Sequence, residues 1–194
     1  MAKILCRFLL WLSGWKVKKT VPKEALRSVM IAAPHTTNWD AYYLKLTAVI
    51  LDIPMRVAIK DTWTKGVVGW FVKKMGALGI DRSPKAGSTR LSQTEAMANL
   101  FDQHEELCLI IAPEGTRKKR EHWKMGFFYV AKSAHVPITL GFLDYENKIA
   151  GVGDPVIHIT GEPEDHLGDI NDFYRNIKGK YPDQFTVDLR FEPE

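Results

Sequence analysis

His35 and Asp40 are a base and an acid five residues apart, in the stretch Ala33-Pro34-His35-Thr36-Thr37-Asn38-Trp39-Asp40. Along one helix that separation is about 140° of rotation, so the two side chains would not share a face. If His35 stands in a turn and Asp40 in the first turn of the helix that follows, the chain can curl until carboxylate meets imidazole. One ring nitrogen is then held and the tautomer fixed, which leaves the other free as a general base. A plainer use competes with this one. Thr37-x-x-Asp40 has the form of a capping box, with Thr37 as N-cap and Asp40 satisfying a backbone N–H. A solvated turn histidine is the plainest alternative of all.

The elements around the pair favour a turn between a strand and a helix. Val29 to Ala33 is an apolar run closed by a proline, the mark of a strand ending. From Tyr42 to Leu51 the residues are too apolar and too many for a surface loop and read as a largely buried helix. His35 then leaves the carboxyl end of a strand, where open α/β sheets place their ligands.

A second group of chemically capable residues follows the strongest strand signal in the chain, Leu107 to Ala112, a continuous apolar run suited to a sheet covered on both faces. It is Pro113-Glu114-Gly115-Thr116-Arg117, with Lys118, Lys119 and Arg120 behind it. Gly115 permits a tight turn and close backbone approach to a ligand. Arg117 offers a planar fork for phosphate. An ordinary solvated basic loop is the other reading.

The rest of the 194 residues alternates strand and helix: strands at Met55–Ile59, Ala77–Ile80, Val136–Phe142, and helices at Trp63–Met75, Gly87–His104 with Ser88 as N-cap, Trp123–Ala134 and Glu164–Lys178. Lys148–Gly153 and Val156–Thr160 read as two short strands around an Asp154-Pro155 turn, and Phe185–Phe191 as a last strand. With no repeat, linker or Gly-rich nucleotide loop, the expectation is one α/β domain over residues 1–194, a mostly parallel central sheet flanked by helices and preceded by an amphipathic N-terminal helix.

Charge is unevenly spread. Up to Arg27 there are seven basic residues and one acid; from Asp144 onward, twelve acids and five bases. An anionic partner for one face follows from this polarity. The apolar run Phe8–Leu12 is far short of the ~20 residues that cross a bilayer. It also lacks the small-residue cleavage site of a signal peptide. Trp11 and Trp15, with Lys16, Lys18 and Lys19 behind them, suit a helix lying in the membrane interface over residues 1–20. The spacing of Leu5, Leu9 and Leu12 equally fits a helix packed on the domain's own core. Cys6 and Cys108 form no disulfide framework, metal set or obvious nucleophile, as expected in a reducing compartment. The combined expectation is a peripheral protein on the cytoplasmic face of a membrane. Nucleic acid is an unpromising partner, because no helix-turn-helix, zinc or aromatic RNA motif is present.

Taken in order, these stretches resemble the glycerolipid acyltransferases of the lysophosphatidic acid acyltransferase type. His35-x-x-x-x-Asp40 looks like the family's catalytic motif, Gly79-Ile80-Asp81-Arg82 like its second block, Pro113-Glu114-Gly115-Thr116-Arg117 like its third and Val136-Pro137-Ile138 like its fourth. Lys60 falls where members often carry a lysine. The departures are apolar or aromatic: Ala112 and Gly79 stand where aromatic residues are common, Pro34 where Asn is common, and Trp39 precedes the Asp.

The resemblance implies acyl transfer from an acyl thioester, acyl-coenzyme A or acyl-carrier protein, to the hydroxyl of a lysophospholipid, with no bound cofactor or metal. His35 would be the base and Asp40 its orienting partner. Arg117, Arg82 and Lys60 would hold an acceptor phosphate, and Glu114, Gly115 and Thr116 would line the acceptor site. The alternatives are another lyso-lipid acceptor such as an amino-acid-headed one, a hydrolase using the same pair on water, and a non-catalytic lipid-binding module.

Overall fold

Strands β1 (Lys16–Val17), β2 (Arg27–Ala32), β3 (Met55–Lys60), β4 (Ala77–Ile80), β5 (Leu107–Ile111), β6 (Ile138–Asp144) and β7 (Ile149–Ile157) form one sheet in the order β1-β7-β6-β2-β5-β3-β4. The computed structural model describes residues 1–60, 65, 66, 69, 70, 73, 76–80 and 92–191. Every neighbouring pair is parallel except β6–β7. β2 lies at the centre between β5 and β6, and its Val29 and Ile31 are fully buried, as a strand covered on both faces requires.

Helices cover both faces. α1 (Ala2–Leu12) and α2 (Trp39–Ile50) pack on one, through Cys6, Leu10, Leu44 and Ala48. α3 (Gln93–Ala98), α4 (Gly126–Ala134) and α5 (Glu164–Arg175) contribute to the core on the other, through Met97, Phe127, Phe128, Val130, Leu167, Ile170 and Tyr174. The architecture is the α/β fold with a mostly parallel sheet that the alternating pattern predicts.

Four expectations need correction. β7 is one strand, not two. Between Gly153 and Ile157 the ladder with β6 shifts register, and Pro155, which has no N–H to give, falls inside that irregularity. Phe185–Phe191 is not a strand: a 3₁₀ turn at Pro182–Gln184 precedes it and a second, Leu189–Phe191, ends it. Its polar groups go elsewhere: buried Asp188 accepts from Trp123 N at 2.9 Å, and Asn171 bonds the Asp188 backbone in both directions. α3 starts later than expected. Ser92 caps it, in a full capping box with Glu95. Ser88 and most of the Trp63–Met75 helix lie outside the described residues.

Trp15 supplies the fourth. It is 6% exposed and belongs to the core, stacked on Tyr43 at 4.7 Å, instead of joining Trp11 at a surface. α1 therefore divides. Cys6 and Leu10 face the sheet, while Ile4, Leu5, Phe8, Trp11 and Leu12 are exposed. Among the described residues no helix is long and apolar enough to cross a membrane.

Candidate active site

The site stands where two adjacent parallel strands end together. β2 and β5 pair in register from Arg27↔Leu107 to Ile31↔Ile111, so the segments leaving them run side by side. One begins Pro34-His35, the other Pro113-Glu114. The crevice beyond the carboxyl ends of such strands is the ligand position of open α/β sheets.

His35 Nδ1 lies 3.2 Å from Asp40 Oδ2. The same oxygen accepts the backbone N–H groups of Thr36 at 2.9 Å and Thr37 at 3.0 Å. Both sequence readings of Asp40 therefore hold at once. Its carboxylate satisfies N–H groups at the entrance to α2, as a capping residue does, and that anchoring aims it at the imidazole. The reciprocal half of a capping box is missing, because Thr37 Oγ1 accepts from Trp39 N at 3.4 Å and not from Asp40 N. Asp40 is nearly buried, whereas the His35 side chain is about a third exposed at 30%. A carboxylate accepts only, so Nδ1 carries the hydrogen and Nε2 keeps its lone pair. The pair can take a proton from a substrate hydroxyl and hold the charge that results.

Glu114 supports the turn from the other strand end. Its Oε1 accepts the backbone N–H of His35 at 2.9 Å. Its Oε2 is buried and has no hydrogen-bond partner among the described residues. Burial pushes the Glu114 carboxyl up to about 7, against the lowering effect of the N–H groups of His35 and of its own backbone. Beneath it, burial and the charge of Glu114 drive the Tyr174 hydroxyl well above its ordinary value. That hydroxyl sits between the carbonyls of Gly141, at 2.9 Å, and Ile31, at 3.1 Å.

Gly115 turns the chain at φ +62°, with its N–H on the Ala112 carbonyl at 3.1 Å. A Cβ there would lie 2.9 Å from Lys124 Nζ. Thr116 and Arg117 follow in the same bend. Arg117 donates to the Asn38 side chain, one residue past the His35 turn, and so joins the third block to the first. Lys60 ends β3, but its side chain and all of Arg82 lie outside the described residues. Among the described residues no group of three His, Cys, Asp or Glu side chains is placed to hold a metal.

An apolar cavity of about 200 Å³ opens beside the pair. His35 and Asp40 are its polar wall, and Ala112, Leu44, Met55, Val57 and Phe142 are among the apolar residues of the rest.

Tyr145 escaped the sequence reading. Its hydroxyl donates to Asp40 Oδ1 at 2.7 Å. The available signal was a tyrosine directly after a fully buried strand, in the turn that leaves it.

The acyltransferase family model matches residues 16–139, more than half of the sequence. The chain belongs to the acyltransferase family. A curated relative, a 1-acyl-sn-glycerol-3-phosphate acyltransferase from Streptococcus pneumoniae, is 28% identical over 138 residues, which cover 66% of this chain and 49% of that protein. The chain thus spans about half the length of the relative it matches. Among solved structures, the 1-acyl-sn-glycerophosphate (LPA) acyltransferase PlsC from Thermotoga maritima superposes with a TM-score of 0.56 at 12% identity, covering 91% of this chain and 77% of that one. This last likeness is one of fold. Both the His35–Asp40 turn and the Glu114–Arg117 turn fall inside the acyltransferase match.

Proposed function

We propose that the protein transfers a fatty acyl group from an acyl thioester to the hydroxyl of a lysophospholipid, with lysophosphatidic acid the first choice of acceptor. The observation that carries this reading is the His35 Nδ1–Asp40 Oδ2 contact at 3.2 Å on the wall of an apolar cavity. His35 Nε2 takes the proton of the acceptor hydroxyl as its oxygen attacks the thioester carbonyl. Asp40 holds the imidazolium that forms. When the tetrahedral intermediate collapses, the C–S bond breaks and the proton passes from His35 to the departing thiolate. No serine or cysteine of the protein is acylated. General-base assistance of this kind contributes typically ~10²–10⁴-fold.

The cavity suits the acyl chain, since its wall is apolar apart from the pair. Arg117 recognises the acceptor phosphate, with Arg82 and Lys60 as further cations. Glu114 fixes the His35 turn and does not move protons in the reaction. The donor is acyl-coenzyme A or acyl-carrier protein. The exposed face of α1, flanked by the basic residues of the first 27, seats the protein on a membrane surface that supplies the lyso-lipid.

A thiol-release assay tests the reading, run in detergent micelles with long-chain acyl-coenzyme A, with and without lysophosphatidic acid, on wild type and His35→Ala. Acceptor-dependent release with a diacyl product, both lost in the variant, is expected. Release that ignores the acceptor and yields free fatty acid would make the protein a hydrolase. No release from coenzyme A or carrier-protein donors with any lyso-lipid would leave a binding module.

A further inference from the structure

Asp40 receives four donors, and one of them comes from far outside the turn. Oδ2 is occupied by the turn itself; Oδ1 accepts the Tyr145 hydroxyl from 105 residues away. Tyr145 is the first residue after β6, in the turn leading to β7. A hydroxyl donating to a nearly buried carboxylate is a charge-assisted bond, among the stronger kinds available.

The donor is itself fixed. Its ring meets Trp15 edge-on at 4.9 Å and 87°, and Tyr43 at 6.1 Å and 84°. Trp15 in turn stacks on Tyr43. The Tyr145 N–H donates to the Lys178 carbonyl at 2.9 Å. Asp144 accepts from the backbone of Glu146 and Asn147 and closes the turn. The segment that follows α1 grips that turn as well: Lys148 Nζ donates to the Ser13 carbonyl at 3.1 Å, and Lys16 N to the Lys148 carbonyl at 2.8 Å.

We propose that Tyr145 is a positioning residue for the His35–Asp40 pair, aiming the Asp40 carboxylate through its hydroxyl, and that Trp15 aims Tyr145. The proposal rests on the acyl-transfer reading. At 3.2 Å the Nδ1–Oδ2 contact is at the long end of a hydrogen bond, so little rotation of the carboxylate is tolerated. The Thr36 and Thr37 N–H groups anchor Oδ2 and the Tyr145 hydroxyl holds Oδ1, so Tyr145 supplies the second point that fixes the rotation of the carboxylate. The residues after α1 are then part of the catalytic support as well as of the proposed membrane contact.

Tyr145→Phe keeps the ring against Trp15 and Tyr43 and deletes only the hydroxyl. Its kcat should fall roughly ten- to a hundredfold, the scale set by small misplacements of catalytic groups, with KM for donor and acceptor within about twofold. Trp15→Ala should show the same split, and Trp15→Phe should recover most of its loss. In the double variant the two losses should fall short of their product, because both act through one hydroxyl. A wild-type kcat in Tyr145→Phe, or a loss confined to KM, would overturn the role of Tyr145. Fully multiplicative losses would overturn that of Trp15.

Nitrogen-15 NMR of labelled histidine, with the His35 signal assigned by its loss in His35→Gln, reads the geometry without turnover. The Nδ1–H tautomer should dominate in wild type and give way to a mixture in Tyr145→Phe; an unchanged tautomer ratio would overturn the proposal. An inactive wild type that nevertheless shows this tautomer shift would sink the acyl-transfer reading and spare the positioning claim.

Discussion

The backbone N–H of His35 donates to the carboxylate of Glu114, 2.9 Å away in space and 79 residues along the chain. Since Glu114 is buried and its second oxygen has no partner among the described residues, the carboxyl is pushed up to about 7 from its ordinary 4.5. Between those values the folded protein keeps a proton that the unfolded chain releases. Stability therefore falls as pH rises through this window, and the contribution is complete below about 4.5 and gone above about 7. At ~1.4 kcal/mol per unit, the change is on the order of 3 kcal/mol. Glu114→Gln keeps an acceptor for the His35 N–H and cannot ionise. Urea unfolding at pH 5 and pH 8 should show the variant gaining on wild type by about that amount at the higher pH. A pH-independent difference between the two proteins would refute it.

Under the proposed mechanism Asp40 serves the turn and the reaction by separable means. Asp40→Asn retains an acceptor for the N–H groups of Thr36 and Thr37 but removes the charge that stabilises an imidazolium. Its kcat should drop by roughly 10²-fold or more, with a melting temperature close to wild type. Asp40→Ala strands buried donors as well and should cost about 2–3 kcal/mol of stability. Thermal melts beside initial rates distinguish these outcomes.

For Arg117 the expectation is a selective loss of acceptor binding. Arg117→Lys keeps the charge and loses the planar fork that reaches Asn38 and a phosphate. KM for lysophosphatidic acid should rise about tenfold while KM for the acyl donor stays level. Equal rises in both would assign Arg117 to the donor or to the loop itself.

Ala112 lines the cavity at a position where the resembling family commonly has an aromatic residue. Ala112→Phe should fill part of that space. The preferred acyl donor should then become shorter by several carbons in a competition assay with mixed chain lengths. An unaltered preference would mean that the acyl chain lies elsewhere.

Phe8 and Trp11 are 53% and 71% exposed on the outer face of α1. Burial of such a side chain is worth about 2 kcal/mol, so Phe8→Ser and Trp11→Ser should each weaken vesicle binding by roughly thirtyfold. Sedimentation with anionic vesicles measures it. The remaining attraction should fade as salt shortens the Debye length.

The sheet and the His35–Asp40 pair were legible because their signals are local. Apolar runs such as Leu107–Ala112 mark a strand buried on both faces, and a His–Asp spacing across a strand-to-helix turn can be read without knowing anything distant. What stayed hidden depends on contacts across the sequence. Nothing near Tyr145 announces Asp40, 105 residues earlier, and nothing near Trp15 says that its indole is stacked on Tyr43. Phe185–Phe191 looked like a strand because its apolar residues alternate with polar ones. Asp188 overrides that pattern by drawing Trp123 N and the Arg190 side chain to itself. The Pro155 turn failed for a related reason: an antiparallel ladder with a register shift accommodates a proline that local rules take for a break.

β5 is inserted between β2 and β3, so the strand leading to Glu114 pairs on both sides with strands made much earlier. Consecutive pairing of neighbouring strands cannot build that arrangement. During folding the His35–Asp40 turn can form as soon as its own few residues are in place, but its brace arrives only when the middle of the sheet closes. Long-range closure of this kind is slow compared with local turns. After dilution from denaturant, helical signal should therefore return first and enzymatic competence last, in step with burial of the central strand.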